Sequence, residues 1–211
     1  MKKFFLSVVL ALATLTISAQ EKVFLDYGVA EEPIERVVRD RNFAIKLGAG
    51  VSNLLGTDAY AAVSYKLAFS YDCRLVKGLY LIPEIDFVVK GSSPVLWGEK
   101  LDLFYLQVPI CLAWKFRLND NVNFGIKAGP YASVGLVGSD VTWDGKNKSD
   151  VFNPDYGSNR FDAGVLAGVH LDFYAFTLGV EYSHGFIMLN KEYTPLNGCN
   201  YAVGATFGVR F

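Results

Sequence analysis

The chain carries two histidines, and one of them, His184, stands directly after Ser183, a pairing that invites a hydrolytic reading. A lipid-modifying enzyme of this kind needs imidazole, hydroxyl and carboxylate together, with the imidazole within hydrogen-bond reach of both others. Adjacent residues of an extended strand point to opposite faces, so Ser183 and His184 are turned away from each other. The other imidazole, His170, shares strand parity with Asp172. No catalytic residue is assigned, and lipid-modifying chemistry at His184 stays as an alternative.

Other chemistry-bearing residues are equally restrained. The acids between Ser139 and Ser158 lack the regular D-x-D-x-D-G spacing of a calcium loop. Cys73, Cys111 and Cys199 are three, without C-x-x-C spacing, so they read as packing residues rather than as a disulfide framework or zinc site. No metal and no cofactor is expected. Within the same long loop Trp143 and Tyr156 are aromatics of the kind that anchor contacts, which marks it as a partner-contact surface. With 20 basic and 21 acidic residues the net charge is −1, and nucleic acid is not an expected partner.

The elements that must position these side chains show a period of two. The first runs from Phe43 to Ser52, with Phe43, Ile45, Leu47, Ala49 and Val51 on one face and Lys46, Gly48 and Gly50 on the other. Similar alternation covers Tyr60 to Cys73, Leu79 to Lys90, Leu101 to Phe116, Val122 to Leu136, Asn159 to Phe173, Phe176 to Phe186 and Tyr201 to Phe211. Strands of this kind separate two different solvents. The links at Arg74 to Gly78, Arg117 to Asp120 and Tyr174-Ala175 are short, whereas those after the first, third, fifth and seventh strands are longer. Short turns on one rim and long loops on the other are the pattern of a bacterial outer-membrane barrel.

At the N-terminus Lys2 and Lys3 precede an apolar stretch from Phe4 to Ile17, closed by Ser18-Ala19-Gln20. That core is shorter than the ~20 residues of a spanning helix and reads as a signal peptide over residues 1–19. Residues 20–42 are a more charged periplasmic segment, with a short helix expected from Glu31 towards Arg41. Residues 43–211 form the barrel domain, in an all-β, eight-stranded antiparallel up-and-down transmembrane β-barrel.

A secreted lipocalin-like lipid carrier would share the period but turn its apolar face inward. Aromatics gathered near the short-turn rim (Phe43, Trp114, Phe116, Phe124, Phe173, Phe176), glycines on the polar face and a terminal Phe211 favour a bilayer outside. The polar face then lines a lumen just wide enough to be filled by side chains. It holds Lys46, Lys66, Lys90, Lys115, Lys127 and Arg210 against Asp72, Glu84, Asp86, Asp102, Asp162, Asp172 and Glu181. Lys46, Lys66, Glu84, Asp86, Lys127 and Glu181 lie away from the strand ends and are expected to pair in a mid-barrel network, since an unpaired buried ion costs several kcal/mol.

The segments Tyr105-Leu106-Gln107-Val108-Pro109, Asp162-Ala163-Gly164 with Gly168-Val169, Glu181-Tyr182-Ser183-His184-Gly185 and the closing Gly208-Val209-Arg210-Phe211 resemble the PorT-like family of small outer-membrane β-barrel proteins. The resemblance spans the last half of the mature chain and implies an eight-stranded barrel in the outer membrane of a Gram-negative bacterium. The family's namesake is associated with protein secretion. The expectation is a non-enzymatic barrel with a plugged lumen, acting as a structural, surface-contact or secretion-accessory component. Its expected partners are outer-membrane lipid, a protein at the extracellular loops, and the barrel-assembly machinery, engaged through Phe207, Val209 and Phe211.

Overall fold

Apolar residues at every second position can be buried together only if the strands pair side by side and present one common greasy face. The computed structural model describes residues 41–57, 59–94, 100–119, 121–141, 148–152, 158–190 and 197–211. Among them are strands β1 Phe43–Leu55, β2 Ala59–Tyr71, β3 Cys73–Val76, β4 Leu79–Pro94, β5 Lys100–Asn119, β6 Val122–Val141, β7 Lys148–Asp150, β8 Phe161–Phe173, β9 Phe176–Met188 and β10 Cys199–Arg210. Neighbours are antiparallel throughout, and β10 returns to β1 over an unbroken register from Ala44↔Arg210 to Leu55↔Cys199. Pairing of β2 with β4 closes the other side. The strand β3 prolongs β2 past Asp72, and β7 folds back on β6, so the closed wall has eight strands.

The greasy face is the outer one. Leu47, Tyr65, Ile85, Leu112, Val180 and Phe207 are exposed, while Glu84, Asp86 and Lys127 are buried inside. A lysine or arginine on the outer wall at the bilayer midplane would cost roughly 2–4 kcal/mol, which is why parity assigns every such residue of the central wall to the lumen. The expected aromatic belt lies where proposed from sequence: Phe43, Trp114, Phe116, Phe173 and Phe176 project outward near the short-turn rim.

Two expectations are corrected. The strands β1 and β2 run further than their alternation suggested, so the first outer connection is only the three residues from 56 to 58 instead of a long loop. Gly56 turns it with a φ of 97°, a left-handed conformation that costs glycine little. Asp102 is not lumenal, because Leu101 and Leu103 on either side of it are the buried pair, at 1% and 0% exposure. The expected signal peptide and helix, and the loop aromatics Trp143 and Tyr156, fall outside the described residues.

Candidate functional site

Three tiers of charge and one of hydrocarbon fill the lumen. In the middle tier, Lys127 on β6 donates to Glu84 Oε1 of β4 at 2.6 Å and lies 2.7 Å from Glu181 Oε1 of β9. Lys66 on β2 donates to Glu181 Oε2 at 2.6 Å and sits 2.9 Å from Asp86 Oδ2. Lys46 on β1 donates to Glu84 Oε1 at 2.8 Å. The structure thus brings together all six residues singled out for the mid-barrel network, three cations with three anions. They come from five strands and cross the lumen, because the facing wall carries glycines. Gly168 and Gly208 leave the room that the stems of Glu181 and Lys46 occupy, a Cβ there falling 3.0 Å and 2.8 Å from them.

Towards the short-turn rim a second tier ties the chain's last strand to its neighbours. Lys115 Nζ lies between Asp72 and Asp172, at 2.5 Å and 3.0 Å. The guanidinium of Arg210 bonds the same two carboxylates and also donates to the main-chain oxygen of Arg41. His170 stands 3.9 Å from Asp172, its ring lodged against Gly125, where a Cβ would fall 2.3 Å from the imidazole.

The third tier, towards the outer rim, was only partly legible. Lys90, 1% exposed, lies 3.9 Å from Asp162 and beneath two aromatic rings, with Nζ 5.6 Å from the Tyr105 centroid and 4.9 Å from that of Tyr131. Tyr131 donates its hydroxyl to Asp162 at 3.0 Å. Lys90 and Asp162 declare themselves by lumen parity; the two tyrosines could have been found the same way, since both stand on the inward parity of β5 and β6.

Above this tier the lumen changes solvent. Leu54, Leu101, Leu103, Tyr105, Val151, Phe152 and Leu189 form a buried apolar cluster across the outer mouth. Val151 and Phe152 follow β7, and β7 itself is held by pairing Ser139↔Asp150 through Val141↔Lys148. Val151 N–H donates to the Gly138 carbonyl at 3.1 Å, and Arg160 donates twice to the Phe152 carbonyl, at 3.1 Å and 2.8 Å. Gly135 and Gly138 make the seat: Cβ atoms there would fall 2.3 Å and 2.8 Å from the Phe152 ring. A phenylalanine in a connecting loop gives no periodic signal, so this plug was missed from sequence.

The remaining candidates are dispersed. His184 faces outward on β9, its Nδ1 3.3 Å from the Tyr182 hydroxyl, with the Phe186 ring 5.6 Å from its own. Ser183 faces the lumen and is buried. The two do not meet. Phe207, Val209 and Phe211 lie on the outer face at the short-turn end; Phe207 stacks on Phe176 at 5.8 Å, and Phe211 N–H donates to the Phe43 carbonyl at 2.8 Å. Among the described residues no three of His, Cys, Asp and Glu converge as a metal site would require.

A family model described as outer membrane protein beta-barrel domain matches residues 39–190. Among solved structures, the outer membrane enzyme PagL superposes with a TM-score of 0.53 at 14% identity, over 80% of this chain and 99% of that one. Neisserial surface protein A aligns with a TM-score of 0.48 at 16% identity, over 80% and 97%. The attachment invasion locus protein Ail of Yersinia pestis aligns with a TM-score of 0.43 at 14% identity, over 81% and 97%. No curated protein sequence matches.

Proposed function

Because the chain belongs to the outer membrane protein beta-barrel domain family, and so to the outer membrane, we propose that it is a non-enzymatic barrel whose lumen is closed and whose work is done at its surface. It acts as a structural, surface-contact or secretion-accessory component, in the manner of the PorT-like proteins that its strand segments resemble. Export by the N-terminal signal peptide and insertion by the assembly machinery at the C-terminal strand belong to this reading. The observation that carries it is closure in series: the apolar plug around Phe152 lies over an ion-paired belt at Lys66, Lys127, Glu84 and Glu181. A barrel with no conduit has only its rims and its lipid face with which to act.

Planar-bilayer recording tests the closure. The purified protein is expected to leave the bilayer at baseline conductance, and steady unitary currents would overturn a plugged lumen. Cross-linking in intact membranes tests the surface role, with capture of a defined protein neighbour as the expected result.

A second reading, a lipid-modifying enzyme, has one place to reside, the outward His184; an outer membrane enzyme, PagL, shares the fold. The geometry disfavours it, since Ser183 points into the lumen and the polar partner of His184 is the hydroxyl of Tyr182. Fatty-acid release from outer-membrane lipid that is lost in His184→Asn would reverse the ranking.

A further inference from the structure

Lys46, Lys66, Lys115, Lys127 and Arg210 each reach a carboxylate oxygen inside the lumen at hydrogen-bonding distance. Lys90 does not. Its Nζ has no hydrogen-bond partner among the described residues, and the carboxylate facing it, Asp162, stands with Oδ2 3.9 Å away. Yet the two side chains are as dry as the belt, at 1% and 3% exposure. Ions left apart in such a place carry the cost of desolvation without the full Coulombic return.

Both ends of this open pair are held where they stand. Lys90, on β4, keeps its Nζ over the rings of Tyr105 and Tyr131, 5.6 Å and 4.9 Å from their centroids. Asp162, on β8, receives the Tyr131 hydroxyl on Oδ2 at 3.0 Å. Its other oxygen abuts Gly185, where a Cβ would fall 2.5 Å from Oδ1. Tyr105 belongs in turn to the apolar cluster that shuts the outer mouth. An amine and a carboxyl group therefore face each other across the lumen, fixed and shielded, and the amine has no hydrogen bond to hold it back.

We propose that Lys90 and Asp162 are a modification site, joined to each other in the folded protein by an isopeptide bond. The Lys90 Nζ attacks the Asp162 carboxyl carbon; the Nζ–Cγ bond forms and a Cγ–Oδ bond breaks. Two of the ammonium's protons leave with that oxygen as water and one stays on the amide nitrogen. An ammonium and a carboxylate thus become one neutral amide, and no further reagent is consumed. Tyr131, already donating to Oδ2, passes its proton to the departing oxygen and recovers one from the amine. Holding the reactants within a side-chain adjustment of contact makes the step intramolecular, and the product removes two buried charges whose desolvation was poorly offset. The belt lysines are spared, because their hydrogen-bonded carboxylates stabilise them as ions. The link ties β4 to β8 below the plug, a covalent brace that goes beyond the surface role proposed for the barrel.

The experiment takes the full-length protein from membranes, denatures it and digests it with trypsin for mass spectrometry. The peptide of residues 78–100 is expected to be joined to that of residues 161–191, short of one water, with cleavage after Lys90 blocked. In Lys90→Arg the residues 161–191 should be released as a free peptide, since a guanidinium does not make this bond. On a gel the boiled wild type should run ahead of boiled Lys90→Arg, because a chain closed into a loop stays more compact. Free 161–191 peptide and cleavage after Lys90 in the wild type would overturn the bond, and that measurement stands whether or not the variant folds. A missing water that persists in Lys90→Arg would place the loss at other residues and overturn it equally.

Discussion

Lys127 connects two walls of the barrel, for its ammonium is shared by Glu84 of β4 and Glu181 of β9, and it is 2% exposed. Ion pairs in a setting so dry contribute little net stability when whole and cost much when broken, because the partner left behind keeps its charge without compensation. Lys127→Met should therefore destabilise the barrel by about 3–5 kcal/mol, read as a lower urea midpoint in lipid vesicles. Neutralising one stranded carboxylate in Lys127→Met/Glu181→Gln should recover part of that loss. An unchanged midpoint in the single variant would mean that water reaches the belt. A second residue-scale test concerns the glycine wall: Gly125→Val drives a side chain into the His170 ring, and overpacking of this kind costs about 1–3 kcal/mol. Adding His170→Ala vacates the space, so the double variant should unfold later than Gly125→Val alone; no such recovery would show that the imidazole is not what the glycine accommodates.

At the scale of elements, the plug depends on a short hairpin, β6 with β7, that delivers Phe152 to the outer mouth. Truncating a buried phenylalanine typically costs about 3–5 kcal/mol. Here the loss should fall on the plug and spare the wall, whose ladder does not include Phe152. In Phe152→Ala the Arg160 side chain loses the ring beneath it, and trypsin is expected to cut after Arg160 faster than in the wild type while the barrel core survives. Cleavage at the wild-type rate would mean that the ring does not hold the loop. What was legible in the sequence follows from the same elements. Alternation located the walls, and it put the six belt residues on one face because a strand's period of two leaves no freedom about parity. It misled at Asp102, since parity was inferred from polarity and the lumen near Leu101 and Leu103 is apolar. It understated β1 and β2, where Leu54, Leu55 and Ala59 continue the strands without alternating cleanly. Phe152 was invisible, being placed by a tertiary seat at Gly135 and Gly138 and not by any local period.

The whole molecule closes by pairing its first strand with its last, and Arg210 on β10 reinforces the seam by reaching Asp72, Asp172 and the Arg41 carbonyl. Inside that closed wall the plug and the belt lie in series along one axis, so a breach of either alone is still closed by the other. Phe152→Ala alone should stay at baseline in a planar bilayer, because the belt remains beneath it. Glu181→Ala alone should also stay at baseline, under the intact plug. The combined variant is expected to pass current, and its selectivity has a definite sign. Removing Glu181 leaves Lys46, Lys66 and Lys127 facing only Glu84 and Asp86, so an uncompensated positive charge stands in the middle of the lumen and favours anions. A reversal potential in a salt gradient reads that sign directly. Current in Phe152→Ala alone would show the belt to be permeable, and cation preference in the combined variant would show that ions travel by a path that avoids it.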